Sequence, residues 1–314
     1  MKTLLLGAGG QLGQAFLREQ LKAPWADIVP ATRLGQLHHE RAEVVDLTDA
    51  SSLSALLDRV QPAVIINAAA YTAVDRAESE EALATQINGH SLATLGSWAA
   101  AHGALVVHFS TDYVFDGNKS TPYQVDDPAA PINAYGRSKL AGELALRNSH
   151  APHFLFRTAW VHSPWGNNFV LSMLRLARER PELRIVNDQF GSPTPASLIA
   201  GASLAAIQRW LLAGAAERTA LEGTYHLVSD GVTTWHDFAT RIFQKASDAG
   251  LLQDTPRVVA IGTSDYPTAA RRPAWSVLDN ASFRQRFGLE LPDWRDGLDD
   301  TINKLYLEVN GPTC

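Results

Sequence analysis

Short apolar runs alternate with amphipathic stretches through the first half of the chain. Residues 3–6 read as a buried strand, and residues 10–21 as a helix turning Leu12, Phe16, Leu17 and Leu21 inward. A second strand is expected at 28–31, then a loop through Glu40, a strand at 44–46 and a helix at 51–60 that Ser51 or Ser52 would cap. The pattern continues as strand 64–67, helix 81–102, strand 105–110, helix 135–148 and strand 153–157. Continuous apolar strands separated by helices predict a parallel sheet covered on both faces. Right-handed crossovers make it an α/β, doubly wound, Rossmann-type sheet.

The alternation stops after Arg157, where Pro, Gly and Asn cluster at 163–168 and 188–195. Helices are expected at 169–180, 196–212, 234–249 and 280–288, with a strand at 224–228. The expected division is a dinucleotide-binding domain at 1–157, completed by a helix near 193–213. Segments 158–192 and 214–314 would form a smaller C-terminal substrate-binding lobe.

The first strand runs into Gly7-Ala8-Gly9-Gly10-Gln11-Leu12-Gly13. Glycines at 7, 10 and 13 suit a tight turn, close approach of a pyrophosphate, and close packing of helix on strand. The amides at the helix start then face the phosphates. The second strand ends without an acid at Ala31-Thr32-Arg33. Arg33 is either a partner for a 2′-phosphate, which favours NADPH, or a solvated surface arginine. Asp46-Leu47 ends the third strand where an adenine would pass. The small residues before Tyr71 and Thr72 would let a cofactor lie close, as they would serve ordinary packing.

Ser110-Thr111-Asp112-Tyr113 reaches the carboxyl edge of the sheet, and Tyr135 and Lys139 lie four apart on one helix face. An ammonium beside the phenol would lower its pKa by roughly 1–3 units. Tyr135 could then give a proton to a carbonyl oxygen as hydride reaches the carbon, while Thr111 holds that oxygen. Thr111, Tyr135 and Lys139 are the expected catalytic set.

These residues resemble the extended short-chain dehydrogenases and, among them, the dTDP-4-dehydrorhamnose reductases. The resemblance covers nearly the whole chain. It includes the glycine turn, Asn67-Ala68-Ala69-Ala70-Tyr71-Thr72-Ala73-Val74-Asp75, Ser110-Thr111-Asp112-Tyr113-Val114-Phe115-Asp116-Gly117 and Tyr135-Gly136-Arg137-Ser138-Lys139. It continues in Arg157-Thr158-Ala159-Trp160-Val161, Asn168-Phe169-Val170, Asp188-Gln189-Phe190-Gly191-Ser192-Pro193-Thr194 and Arg272-Pro273-Ala274-Trp275. The resemblance implies cofactor contacts from Gly10, Gln11, Leu12, Asp46, Leu47, Ala70, Tyr71, Thr72, Tyr135 and Lys139. It implies substrate contacts from Thr111, Asp112 and Trp160, with Asn168 a further expected substrate residue. Trp160 reads equally as a core aromatic. Arg271 and Arg272 are candidates for a diphosphate or are solvated charges near a strand end.

The implied reaction is NADPH-dependent reduction of the 4-keto group of dTDP-6-deoxy-L-lyxo-4-hexulose, giving dTDP-L-rhamnose, with NADH a second candidate reductant. Other sugar-nucleotide reductases or epimerases of the same fold are the alternative, as is a non-catalytic dinucleotide-binding regulatory subunit. Some members resemble metal-bridged dimers, yet the matching positions here are Ala15 and Ser197, which carry no carboxylate for Mg²⁺. No metal is expected, and a monomer or weak homodimer is.

Bulk properties narrow the field further. A net charge of −6 disfavours nucleic acid as a partner. The sole cysteine, Cys314, permits no intramolecular disulfide. No apolar run reaches the length of a membrane span. A cytoplasmic location is expected.

Overall fold

The computed structural model describes residues 1–37 and 40–310, so Cys314 and residues 38 and 39 of the expected loop lie outside the described residues. Within that loop, Gln36–Leu37 pairs antiparallel with Glu40–Arg41. The main sheet contains β1 (Lys2–Leu6), β2 (Asp27–Thr32), β3 (Glu43–Val44), β4 (Val64–Asn67), β5 (Leu105–Thr111), β6 (His153–Thr158) and β7 (Gly223–His226). Their order is β7-β6-β5-β4-β1-β2-β3, and every pairing is parallel. The order reverses at β1, so a crevice is expected between the carboxyl ends of β1 and β4.

Alternate residues of the buried strands supply two cores. Leu5, Ile66, Val107, Phe154 and Phe156 pack beneath α1 (Gln11–Glu19) and the helix Ala196–Leu212. Leu4, Leu6, Ile65 and Val106 pack against α2 (Ala50–Val60), α3 (Ser91–His102) and α4 (Ala134–Asn148). Burying each such side chain contributes about 1.5–3 kcal/mol, which fixes the sheet that carries the site.

Several local expectations change. Helix α1 ends at Glu19 and a 3-10 turn follows, leaving Leu21 87% exposed rather than inward. Asp49, not Ser51 or Ser52, caps α2 by accepting from the Ser51 amide at 2.8 Å. The helix expected at 81–102 is broken into Glu81–Thr85, a π turn at Gln86–His90, and α3. The strand expected at 224–228 is β7, an edge strand of the main sheet, although it falls in the segment expected to form the lobe.

The lobe has its own core of Val170, Met173, Leu174, Phe238, Ile242, Trp294 and Leu298. Three of its elements carry no expectation from the sequence: the strands Glu182–Val186 and Arg257–Ile261, which pair in parallel, and the helix Trp294–Asn310. Among the described residues no helix is long and apolar enough to cross a membrane.

Two histidines sit in these cores with no partner for Nε2. Burial holds both His162 and His226 down to about 3. Their ordinary value is 6.5, so between 6.5 and about 3 the unfolded chain binds more protons than the folded one. Stability should therefore fall as pH drops through that window. Asp112, raised to about 6, acts in the opposite sense between its ordinary value and 6. Urea midpoints measured from pH 7 to 4 should decline. A midpoint that fell equally in the His162→Gln, His226→Gln double variant would refute the assignment.

Candidate active site

The first turn is shaped by what its glycines exclude. Gly7 has φ +77°, and a Cβ there would lie 2.6 Å from the Ala69 amide nitrogen. Thus β1 and the segment after β4 approach more closely than a side chain permits. Gly13 packs equally tightly, with the Gly7 carbonyl 2.2 Å from where its Cβ would be. Gly10 differs: the nearest atom to its absent Cβ is the Gly7 oxygen at 3.4 Å. A side chain at 10 would fill the space over the start of α1, where the free amides point. This cradle fits a dinucleotide pyrophosphate.

Gln11 supplies that helix start, but its side chain faces the lobe. Its Oε1 accepts from Ser163 and Asn168, each at 2.9 Å, and its Nε2 donates to the Asn167 carbonyl. Leu12 is half-buried against the core beneath α1. Arg33 is exposed just past β2. Hydrogen bonds from the Thr48 amide and hydroxyl, aided by the Arg33 charge, hold the Asp46 carboxyl below its usual range. Two expected cofactor residues are thereby neighbours at the end of the sheet. Leu47 packs on the second core.

Ala70, Tyr71 and Thr72 follow β4. The Tyr71 amide donates to Asn88 Oδ1 at 2.9 Å, and Asn88 Nδ2 donates to the Tyr71 carbonyl at 3.0 Å and to Ser138 Oγ at 2.9 Å. Asn88 lies on the π turn and ties the cofactor-side loop to α4. Such turns cluster at functional sites. Tyr71 OH donates to Glu80, which raises the phenol's pKa, and Thr72 is exposed.

Helix α4 is anchored at its start. Asn133 caps it, accepting from the Gly136 amide at 2.7 Å, and Glu78 accepts from the Ala134 amide at 2.8 Å. A Cβ at Gly136 would stand 2.2 Å from the Tyr113 carbonyl, so the helix meets the end of β5 directly. This brings Tyr135 to Thr111. The rings of Tyr135 and Tyr113 meet edge to face at 6.0 Å.

The electrostatics depart from expectation at Tyr135. Burial, then the Asp112 charge, push its phenol above its ordinary range, while the Thr111 hydroxyl pulls the other way. Lys139 does not lower it. The Lys139 side chain runs under the helix to β5, where Nζ donates to the Phe109 carbonyl at 2.6 Å and meets His108 Nε2 at 3.1 Å. Burial brings Lys139 itself down to about 7, opposed by Glu143 one turn further along α4. Four-residue spacing aligned the two Cβ atoms, but the long lysine stem found its partners on the strand.

Thr111 donates to Asp112 Oδ1 at 2.9 Å and accepts from the Tyr113 amide at 3.2 Å. Asp112 is buried, and desolvation raises its carboxyl to about 6 against hydrogen bonds from Ser276 and Thr111.

The expected substrate residues divide. Trp160 has one face covered by Trp235, with centroids 3.5 Å apart and planes 4° from parallel. Its φ of +47° costs a bulky residue about 1–3 kcal/mol. Asn168 caps the helix Phe169–Glu179 and spends its amide on Gln11, Ser163 and Trp165. Arg272 forms a bidentate pair with Asp75 at 2.7 and 3.0 Å, and Arg271 is exposed.

Ala15 is buried, and with Ser197 it lines a groove of about 300 Å³ beside Glu19, Trp165 and Glu308. Among the described residues no group of three or more His, Cys, Asp or Glu could hold a metal ion.

Sequence reasoning passed over Asn133, Asn88, His108 and the pair Glu143–Arg157. Asn before a helix is a capping signal, and Glu143 continues the row from 135 and 139 at the same spacing. A polar His108 within the apolar run of β5 was a further signal. Nothing local marks a π turn.

The sheet order, the glycine cradle at its switch point and Thr111 with Tyr135 at the carboxyl edge define a class: nicotinamide-dependent oxidoreductases with the short-chain dehydrogenase fold. Within it, the chain belongs to the family described as RmlD substrate binding domain, whose family model matches residues 1–307. It is 45% identical over 300 residues to the dTDP-4-dehydrorhamnose reductase of Burkholderia thailandensis, covering 94% of this chain and 96% of that protein. The Shigella flexneri enzyme of the same name is 42% identical over 306 residues, 98% of each chain. A crystal structure of dTDP-4-dehydrorhamnose reductase from Bacillus anthracis in complex with NADP superposes with a TM-score of 0.83 at 34% identity, covering 96% of this chain and 99% of that one.

Proposed function

We propose that this chain reduces the 4-keto group of dTDP-6-deoxy-L-lyxo-4-hexulose with NADPH, yielding dTDP-L-rhamnose. The observation carrying this reading is a continuous contact path. It runs from the glycine cradle through Ala69, Asn67 and His108 to Lys139, on the helix that carries Tyr135. The nicotinamide, when bound, supplies hydride to the sugar carbon. Everything else falls to the chain. Tyr135 is held as a neutral phenol, which suits a donor giving its proton to the carbonyl oxygen. Thr111 and Asp112 fix the approach of that oxygen and of a neighbouring hydroxyl. Lys139 would hold the nicotinamide ribose, and Trp160 would border the sugar.

Arg33, exposed and facing Asp46, supports NADPH over NADH through the 2′-phosphate. The Asp75 pairing leaves Arg271 the freer of the two arginines for a diphosphate. With both signs of charge already balanced at Arg272, a sugar nucleotide approaching it must compete with Asp75.

The test follows loss of NADPH absorbance with the keto-sugar generated in situ on dTDP, with NADH and the matching GDP-sugar in parallel. Oxidation confined to the dTDP substrate is the expected result. Oxidation with the GDP-sugar alone would change the substrate, and none with either, despite tight NADPH binding, would replace the reductase by a regulatory subunit.

A further inference from the structure

Trp160 stands beside the carboxyl edge that carries Thr111, because Thr158, two residues before it, pairs with Thr111 across β5 and β6. One face of its indole is covered by Trp235. The other is covered by backbone. A Cβ at Gly191 would lie 2.4, 2.5 and 2.8 Å from Trp160 Cε2, Nε1 and Cζ2. Distances so nearly equal to three successive ring atoms place that point over the indole plane, not beside its rim. On the Trp235 side, where the rings are 3.5 Å apart, Trp235 atoms would be among its nearest neighbours, and they are not. Gly191 therefore closes the opposite face, with the hydrogen that stands in the Cβ direction pointing at the ring.

Neither wall can withdraw. Phe190 and Gly191 pair antiparallel with Thr234 and Thr233. The Phe190 amide donates to the Ala274 carbonyl, and the Ser276 amide donates to the Phe190 carbonyl, each at 2.8 Å. Behind Trp235 stands Phe169, with ring centroids 4.6 Å apart. The Trp160 carbonyl is itself held by the Thr194 amide at 3.3 Å.

What the slot leaves free is the rim of the indole. Trp98, Trp165, Trp210 and Trp275 donate through Nε1 to partners within the fold, and the Nε1 atoms of Trp25 and Trp294 are sealed in the core without one. Trp160 is in neither group. It is half-buried, and among the described residues its N–H has no partner.

We propose that Gly191 is a positioning residue: with Trp235 it clamps Trp160 so that the bound sugar nucleotide meets the indole through its N–H edge. Trp160 then donates a hydrogen bond to a substrate oxygen, of a hydroxyl or a phosphate, and offers no face for a sugar ring to stack on. The substrate's part in this rests on the reductase reading. The clamp does not, being a property of the free protein. A methyl at position 191 has no room except by driving the indole out of its slot.

In the free protein, with backbone resonances assigned, one Gly191 α-proton is expected far upfield of ordinary glycine and back in the ordinary range in Trp160→Leu. The Trp160 indole ¹H–¹⁵N signal, assigned through Trp160→Phe, should move when dTDP-L-rhamnose is added to the NADPH-bound protein. Gly191→Ala should lower kcat/KM for the keto-sugar by roughly 10–100-fold with NADPH affinity unchanged. In a Trp160→Leu background the same change should cost less than about twofold, because the two residues act as one unit. Trp160→Phe keeps a ring but no donor, and should lose nearly as much as Trp160→Leu.

Ordinary Gly191 α-proton shifts in the wild type would overturn the clamp. An indole signal unmoved by bound dTDP-L-rhamnose, or a Trp160→Phe enzyme with wild-type kcat/KM, would overturn the donor edge. A Gly191→Ala loss undiminished in the Trp160→Leu background would reduce Gly191 to a structural residue. If Gly191→Ala does not fold, the wild-type spectra and Trp160→Phe decide. A chain with the upfield Gly191 proton but neither turnover nor dTDP-L-rhamnose binding would fail the proposed function and keep the clamp.

Discussion

Tyr135→Phe is expected to lower kcat by about 10²–10⁴-fold while leaving NADPH affinity nearly unchanged. The phenol hydroxyl is the group beside Thr111 able to give a proton to the carbonyl oxygen, and removing it leaves the ring and its contact with Tyr113 in place. A thousandfold loss corresponds to about 4 kcal/mol of transition-state stabilisation. In the free protein, burial and the Asp112 charge keep the phenol protonated, and no adjacent ammonium acidifies it. Single-turnover rates and NADPH titration by fluorescence separate the two effects. Wild-type turnover would remove Tyr135 as the donor, and an equal loss of NADPH binding would make its role structural.

Arg157→Met is expected to destabilise the fold by about 3–5 kcal/mol. Arg157 on β6 is 2% exposed and Glu143 on α4 is 0% exposed. Their bidentate pair joins the helix of Tyr135 and Lys139 to the sheet, and Arg157 also donates to the Val125 carbonyl at 2.9 Å. Without Arg157, a buried carboxylate keeps only the half-exposed Arg147, which places the loss toward the lower end. The double variant Arg157→Met, Glu143→Leu should recover much of it, because two apolar side chains leave no charge unpaired. Urea unfolding measures both. A loss under about 1 kcal/mol in the single variant would show the pair to be no more than a surface-type bridge.

The alternating apolar runs were sufficient to define the parallel sheet, because strands such as β4 and β5 are buried on both faces and so read as near-continuous apolar runs up to their polar ends. The glycine turn was equally legible. Backbone sterics at Gly7 and Gly13 depend on the absence of one atom, which a sequence records directly. The meeting of Thr111 and Tyr135 was legible for the same reason: a strand end and a helix start each place a side chain by local geometry.

What the sequence left open depended on partners far along the chain. Leu21 turned outward because α1 stopped early, and β7 joined the main sheet across a long excursion through the lobe. Trp160 and Asn168 were spent on Trp235 and Gln11, residues that no periodicity associates with them. Lys139 is the clearest case. Its helix position was determined locally, but its side chain ends on the Phe109 carbonyl and against His108, buried partners on β5 that only the packing of α4 on the sheet brings within reach. Local pattern fixes where a side chain starts; burial and long-range partners fix where it ends and what charge it carries there.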